Sequence, residues 1–74
     1  MTPLEKWKTA ATLWLYGREL TRGNLSECAR AWDILPPSSK IDAYIQTEKV
    51  VDGKRVHRAK DITNLVLGMV YLKL

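Results

Sequence analysis

Apolar residues recur along this chain at helical spacing in several stretches and flank one tight-turn signal. Leu4, Trp7, Ala11 and Trp14 stand at i, i+3, i+7 and i+10, with Ala10 and Leu15 widening the stripe. Ahead of them, Thr2-Pro3-Leu4-Glu5 combines a capping threonine, a proline suited to the first helical position and a glutamate that can reach back. The pattern predicts a helix that Gly17 ends. Arg18 to Gly23 reads as a connector, in which Glu19-Leu20-Thr21 can form a short extended piece. Asn24 and Glu27 repeat the capping logic ahead of a second helix, whose apolar face is Leu25, Cys28, Ala29 and Trp32.

Pro36-Pro37 ends that helix near Asp33 or Ile34, because proline cannot continue a helix and pushes the residue before it towards extended geometry. Ser38 and Ser39 then cap an expected third helix. It would carry Ile41, Tyr44, Ile45 and Glu48 on one side and Lys40, Ala43, Gln46 and Thr47 on the other. Asp52-Gly53 between valines is a hairpin turn. A three-residue loop would bury Val50 and Val56 together and leave Lys49, Arg55 and His57 on the exposed side. In the last segment, residues 61–74, Asp61 can cap a helix with Ile62, Leu65, Met69 and Leu72 in one stripe. Val66, Val70 and Tyr71 keep a strand reading open there.

These elements add up to one domain over residues 1–74, mainly α with a β-hairpin: three N-terminal helices, a basic hairpin and a C-terminal helix. Composition changes the picture in two ways. A hydrophobic fraction of 46% with three tryptophans and three tyrosines implies dense packing or a subunit interface in so small a chain. The mostly apolar 61–74 helix points to that interface, a homodimer through Leu65, Val66, Met69, Val70 and Leu72. The aromatic stripe of the first helix reads as core, since as a base-stacking platform its rings would have to be exposed.

Charge adds the second change. The net charge is +4, and Lys49, Lys54, Arg55, Arg58 and Lys60 fall close together beside His57. That concentration fits a polyanion partner. The single cysteine, Cys28, cannot close an intrachain disulfide, reads as a small buried hydrophobe and suits a reducing, cytoplasmic setting. There is no Cys/His set at zinc spacing, no phosphate-cradling glycine loop and no nucleophile-base pair, so neither an enzyme, a cofactor nor a small-molecule substrate is expected. No apolar run approaches membrane-spanning length, and no membrane partner is expected.

Helix, connector, helix, proline turn, capped third helix and basic Asp-Gly hairpin, in that order over about residues 3 to 60, resemble the small winged helix–turn–helix regulators of phage and plasmid type. The resemblance implies a sequence-specific transcriptional regulator of double-stranded DNA, with the third helix in the major groove and the wing on the backbone. Its contacts would be Ser39, Lys40, Ala43, Gln46 and Thr47 on the helix and Lys54, Arg55, His57 and Arg58 on the wing. The alternative is a small interaction module or inhibitor that meets a partner protein through the apolar C-terminal segment.

Overall fold

The computed structural model describes residues 3–72, with side chains from Glu5 to Tyr71. Its order is α1 (Pro3–Trp7), β1 (Ala10–Leu15), β2 (Arg18–Asn24), α2 (Leu25–Asp33), α3 (Pro37–Asp42), β3 (Tyr44–Val51), β4 (Lys54–His57) and α4 (Ala59–Leu72). The strands form one antiparallel sheet in the order β2-β1-β3-β4. This overturns the mainly α, winged helix–turn–helix expectation. The chain is two strand–strand–helix units, β1-β2-α2 and β3-β4-α4, joined by α3 and by the pairing of their first strands.

The first expected helix is the larger correction. Only Pro3–Trp7 is helical, and Ala10–Leu15 is a strand in which Ala11 and Leu13 are buried. Trp7 and Ala11 do enter the core, but Trp14 projects to the opposite face of the sheet. Two periods overlap here, because Trp7, Ala11 and Trp14 fit a helix while Ala11, Leu13 and Leu15 fit a strand. The strand wins because Leu13 is then sealed between β2 and β3, opposite Thr21 and Ile45. The expected Thr2 cap lies outside the described residues.

The third expected helix is also cut short. Pro37 occupies its first position, no side chain caps it, and it stops at Asp42. Ala43 turns extended, and Tyr44 to Val51 alternate as a strand with Ile45 and Thr47 buried. Gln46 and Thr47, expected on one helix face, therefore sit on opposite faces of a sheet.

Both hairpins close on two-residue turns whose central residues have positive φ: Tyr16 at 52° and Gly17 at 75°, Asp52 at 51° and Gly53 at 85°. Such turns match the twist of the strands they join. Val51 opposite Lys54 replaces the expected three-residue loop. Val50 and Val56 are exposed, and Val51 is buried in their stead. An irregularity in β3 between Gln46 and Val51 shifts the register. There the buried Thr47 hydroxyl donates to the Lys49 carbonyl at 2.6 Å and lies 3.3 Å from that of Arg55.

The second helix forms as its sequence reads. Asn24 Oδ1 accepts from the Glu27 amide at 2.9 Å, Glu27 Oε1 accepts from the Asn24 amide at 3.4 Å, and Leu25, Cys28, Ala29 and Trp32 are buried. The C-terminal segment is helical from Ala59, with Ile62, Leu65 and Met69 buried. Helices α2 and α4 pack side by side on one face of the sheet, over Leu13, Ile45, Thr47 and His57. No helix among the described residues is long and apolar enough to cross a membrane.

Two glycines should respond oppositely to a methyl group. Gly53→Ala forces an L side chain into the left-handed region and should destabilise the fold by about 1–2 kcal/mol. Inside α4, a Cβ added at Gly68 would meet, among the described residues, Trp7 Cζ2 at 3.6 Å, an ordinary contact distance. Gly68→Ala should therefore stabilise by up to about 1 kcal/mol through helix propensity. Urea unfolding of both variants reads the two signs.

Candidate functional site

Among the described residues, α2 and α4 pack on the side of the sheet that buries Leu13 and Ile45, and the side chains that project the other way are exposed or half-buried. Strand pairing fixes which side chains share that open face, since directly opposed residues project the same way. One row crosses the whole sheet as Arg22, Thr12, Gln46 and Val56. The next contains Glu19, Trp14 and Tyr44, and Arg58 extends it one residue beyond the His57–Ile45 pair. Trp14, Tyr44 and Thr12 are half-buried at the centre, while Arg22, Glu19, Gln46, Val56 and Arg58 are exposed around them.

The charged groups at the rim are held in place. Arg22 Nε and Nη2 both reach Glu19 Oε1, at 2.8 and 2.6 Å. Glu19 is the residue opposite Trp14, so this ion pair stands at the β2 edge of the aromatic pair. At the other edge the Arg58 guanidinium lies 5.4 Å from the Tyr44 ring centroid, within reach of a cation–π contact. The Trp14 indole nitrogen is shielded by its neighbours and has no acceptor among the described residues.

Of the residues expected to contact DNA, the structure brings only some together. Gln46 and Arg58 share the open face. Arg55 is exposed on the β4 edge strand and makes no ion pair among the described residues. Lys54 is tied to Asp61 at 2.9 Å. Ser39 and Lys40 lie on short α3, where Lys40 sits 3.8 Å from Asp33 and over the Trp32 ring. Ala43, Thr47 and His57 are buried, which removes them from any surface. The burial of Thr47 and His57 follows from the strand register, since Ala11 lies opposite Thr47 and Ile45 opposite His57.

The expected dimer face divides in the same way. Leu65 and Met69 belong to the chain's own core, Val66 packs against it, and the Leu72 side chain lies outside the described residues. Val70 is exposed, together with Leu67 and Tyr71.

Trp14, Tyr44, Arg22 and Thr12 were absent from the sequence-derived site. Their signal was alternation: Thr12 and Trp14 between buried Ala11 and Leu13, and Tyr44 and Gln46 around buried Ile45. It is legible only once these stretches are known to be strands.

A second feature lies on the helix side. A cavity of about 200 Å³ between the β3–β4 hairpin and α4 is lined by Asp52, Lys54, His57, Asp61, Asn64 and Leu65. Both carboxylates already carry lysines, Asp61 that of Lys54 and Asp52 that of Lys6 at 3.4 Å. No metal-binding cluster of acidic, histidine or cysteine side chains exists among the described residues. Cys28 is buried, and its thiol is pushed up to about 11 chiefly by that burial, with Glu27 adding to the effect, so it is inert at neutral pH.

Comparison of the chain with family models, with curated proteins and with solved structures finds no match.

His57 supplies a pH prediction. Burial pushes its imidazole below the ordinary 6.5, against the pull of the Asp61 and Asp52 carboxylates and a backbone hydrogen bond to Lys54. The unfolded chain therefore takes up a proton more readily than the folded one. Stability should be independent of this group above 6.5 and should fall as the pH drops through 6.5 towards the folded value. Asp61, held below its ordinary 3.8 first by its hydrogen bond from Lys54, adds a separate loss at more acid pH. NMR titration of the His57 ring reads the effect directly; a ring titrating above 6.5 would mean that the two carboxylates outweigh burial.

Proposed function

We propose that this protein binds nucleic acid, with the open face of the sheet as its contact surface. The observation that carries the reading is the pair of side-chain rows across the sheet, which set Trp14 and Tyr44 side by side, with the Arg58 guanidinium against the Tyr44 ring and the Arg22–Glu19 ion pair on the Trp14 side. Rings offer stacking area, guanidinium groups offer phosphate contacts, and Gln46 and Thr12 between them offer hydrogen bonds to base edges. The net charge of +4 adds attraction, and Lys49 and Arg55 in the hairpin have no ion-pair partner among the described residues. Nucleic acid is thus the partner class that both the basic hairpin and the open face favour, with the sheet replacing the third helix as the reading surface.

Fluorescence anisotropy with labelled nucleic acid over a range of salt tests this. Log K should fall linearly with log salt, and Arg58→Ala should make the slope shallower by about 0.7–0.9. Glu19→Gln should tighten binding, because it frees the Arg22 guanidinium for a phosphate. No detectable binding at about 50 mM salt would remove the reading.

A second reading rests on Leu67, Val70 and Tyr71, which are 55%, 71% and 89% exposed on α4. Apolar exposure of this kind suits a protein contact, either with a second copy or with another partner. If it mediates a homodimer, sedimentation should show a dimer that Leu67→Lys with Val70→Lys converts to a folded monomer.

A further inference from the structure

We infer that the open face takes single-stranded nucleic acid, with two successive bases stacked on Trp14 and Tyr44 and the flanking phosphates reached by Arg22 and Arg58. This rests on the nucleic-acid reading of the face and narrows it to one substrate class.

Ring spacing favours an unpaired strand. Trp14 and Tyr44 are directly paired across β1 and β3, which sets their Cβ atoms about 4.5–5.5 Å apart. Consecutive nucleotides of a duplex strand rise only about 3.4 Å. Two neighbouring bases reach both rings when the strand is slightly extended, a freedom that an unpaired strand has and a duplex lacks.

The width of the sheet points the same way. From β2 to β4 it spans three interstrand spacings, about 14 Å. The major groove of B-form DNA is about 12 Å wide and admits a helix or a two-stranded ribbon. A four-stranded sheet laid flat does not enter it, so the central rings would meet only the outside of a duplex. There they would face phosphates, and the centre of the platform, formed by Thr12, Trp14, Tyr44 and Gln46, carries no charge. The cations Arg22, held by Glu19, and Arg58 stand at the rim, where the backbone of a strand lying across the rings would run.

A second copy of the chain fits the face poorly. Two sheets packed face to face need apolar inner surfaces. Here such packing would bury Arg22, Glu19, Gln46 and Arg58, with a desolvation penalty for each group left without a partner.

Tryptophan fluorescence gives a test confined to this face. Trp7 and Trp32 are only 3% and 4% exposed and lie in the core, which leaves Trp14 as the indole that a ligand here would cover. The unmodified protein is titrated with a short oligopyrimidine as DNA, with the same sequence as RNA, and with the matching DNA duplex. Tight quenching by either single strand, with much weaker binding of the duplex, is the expected result. Tyr44→Leu, which keeps apolar volume and loses the ring, should weaken single-strand binding roughly five- to 150-fold. Tyr44→Phe should retain it, and circular dichroism of both variants should match the parent. Trp14→Phe should lose the quenching while anisotropy still reports binding.

Equal or tighter binding of the duplex would overturn the inference and leave the nucleic-acid reading standing. Binding of neither form would end both. Unchanged single-strand affinity in a folded Tyr44→Leu protein would also overturn it, as would self-association of the parent that Tyr44→Leu abolishes, since the face would then belong to a second copy.

Discussion

The antiparallel pairing of β1 with β3 is the contact on which everything else depends. Each hairpin-plus-helix unit is too small to bury its own helix, and an isolated two-stranded hairpin is marginal in water. Joined through Ala11–Thr47 and Leu13–Ile45, the two hairpins make one sheet wide enough for α2 and α4 to lie together on it. Leu13, Leu25, Ile45 and Ile62 are then removed from solvent almost completely, each contributing about 1.5–3 kcal/mol. The same pairing sets Trp14 beside Tyr44 on the opposite face. Stability and the candidate site therefore arise from a single strand register.

Polar groups follow the consequences of that register. Thr47 is forced inwards by its pairing, and its hydroxyl finds carbonyl oxygens released where β3 departs from regular pairing with β4. His57 is forced inwards by its pairing with Ile45, and its Nε2 has no partner among the described residues. A buried imidazole in that situation is held neutral, which is the source of its acid sensitivity. The two edge strands carry Arg18, Glu19 and Arg22 on one side and Lys54 and Arg55 on the other, charges that discourage further strand addition.

The open face differs in kind from the covered one. Under the helices the sheet is mainly aliphatic, with Thr47 and His57 buried among Ala11, Leu13 and Ile45; on the free side it is aromatic at the centre and charged at the rim. Arg58 makes the difference concrete, because its cation lies near the Tyr44 ring and has no carboxylate partner among the described residues.

The helix α2 and the place of the turn at Asp52-Gly53 were legible in the sequence, for local reasons, and α4 was the favoured reading of a segment that also admitted a strand. The Asn24–Glu27 capping box, the Leu25–Trp32 stripe, the 62–65–69 stripe and the Asp-Gly pair each act within a few residues of themselves. The strands β1 and β3 were decided only by tertiary structure. In the short stretch after Thr9, the apolar positions satisfy both a helical and an alternating period, and residues 43–48 carry the same ambiguity. What separates the two is a partner strand distant in the chain, whose burial of Leu13 and Ile45 outweighs weak local helix preference. The site was hidden for the same reason: Trp14 and Tyr44 read as core residues of two separate helices until the pairing of β1 with β3 made them neighbours on one exposed face.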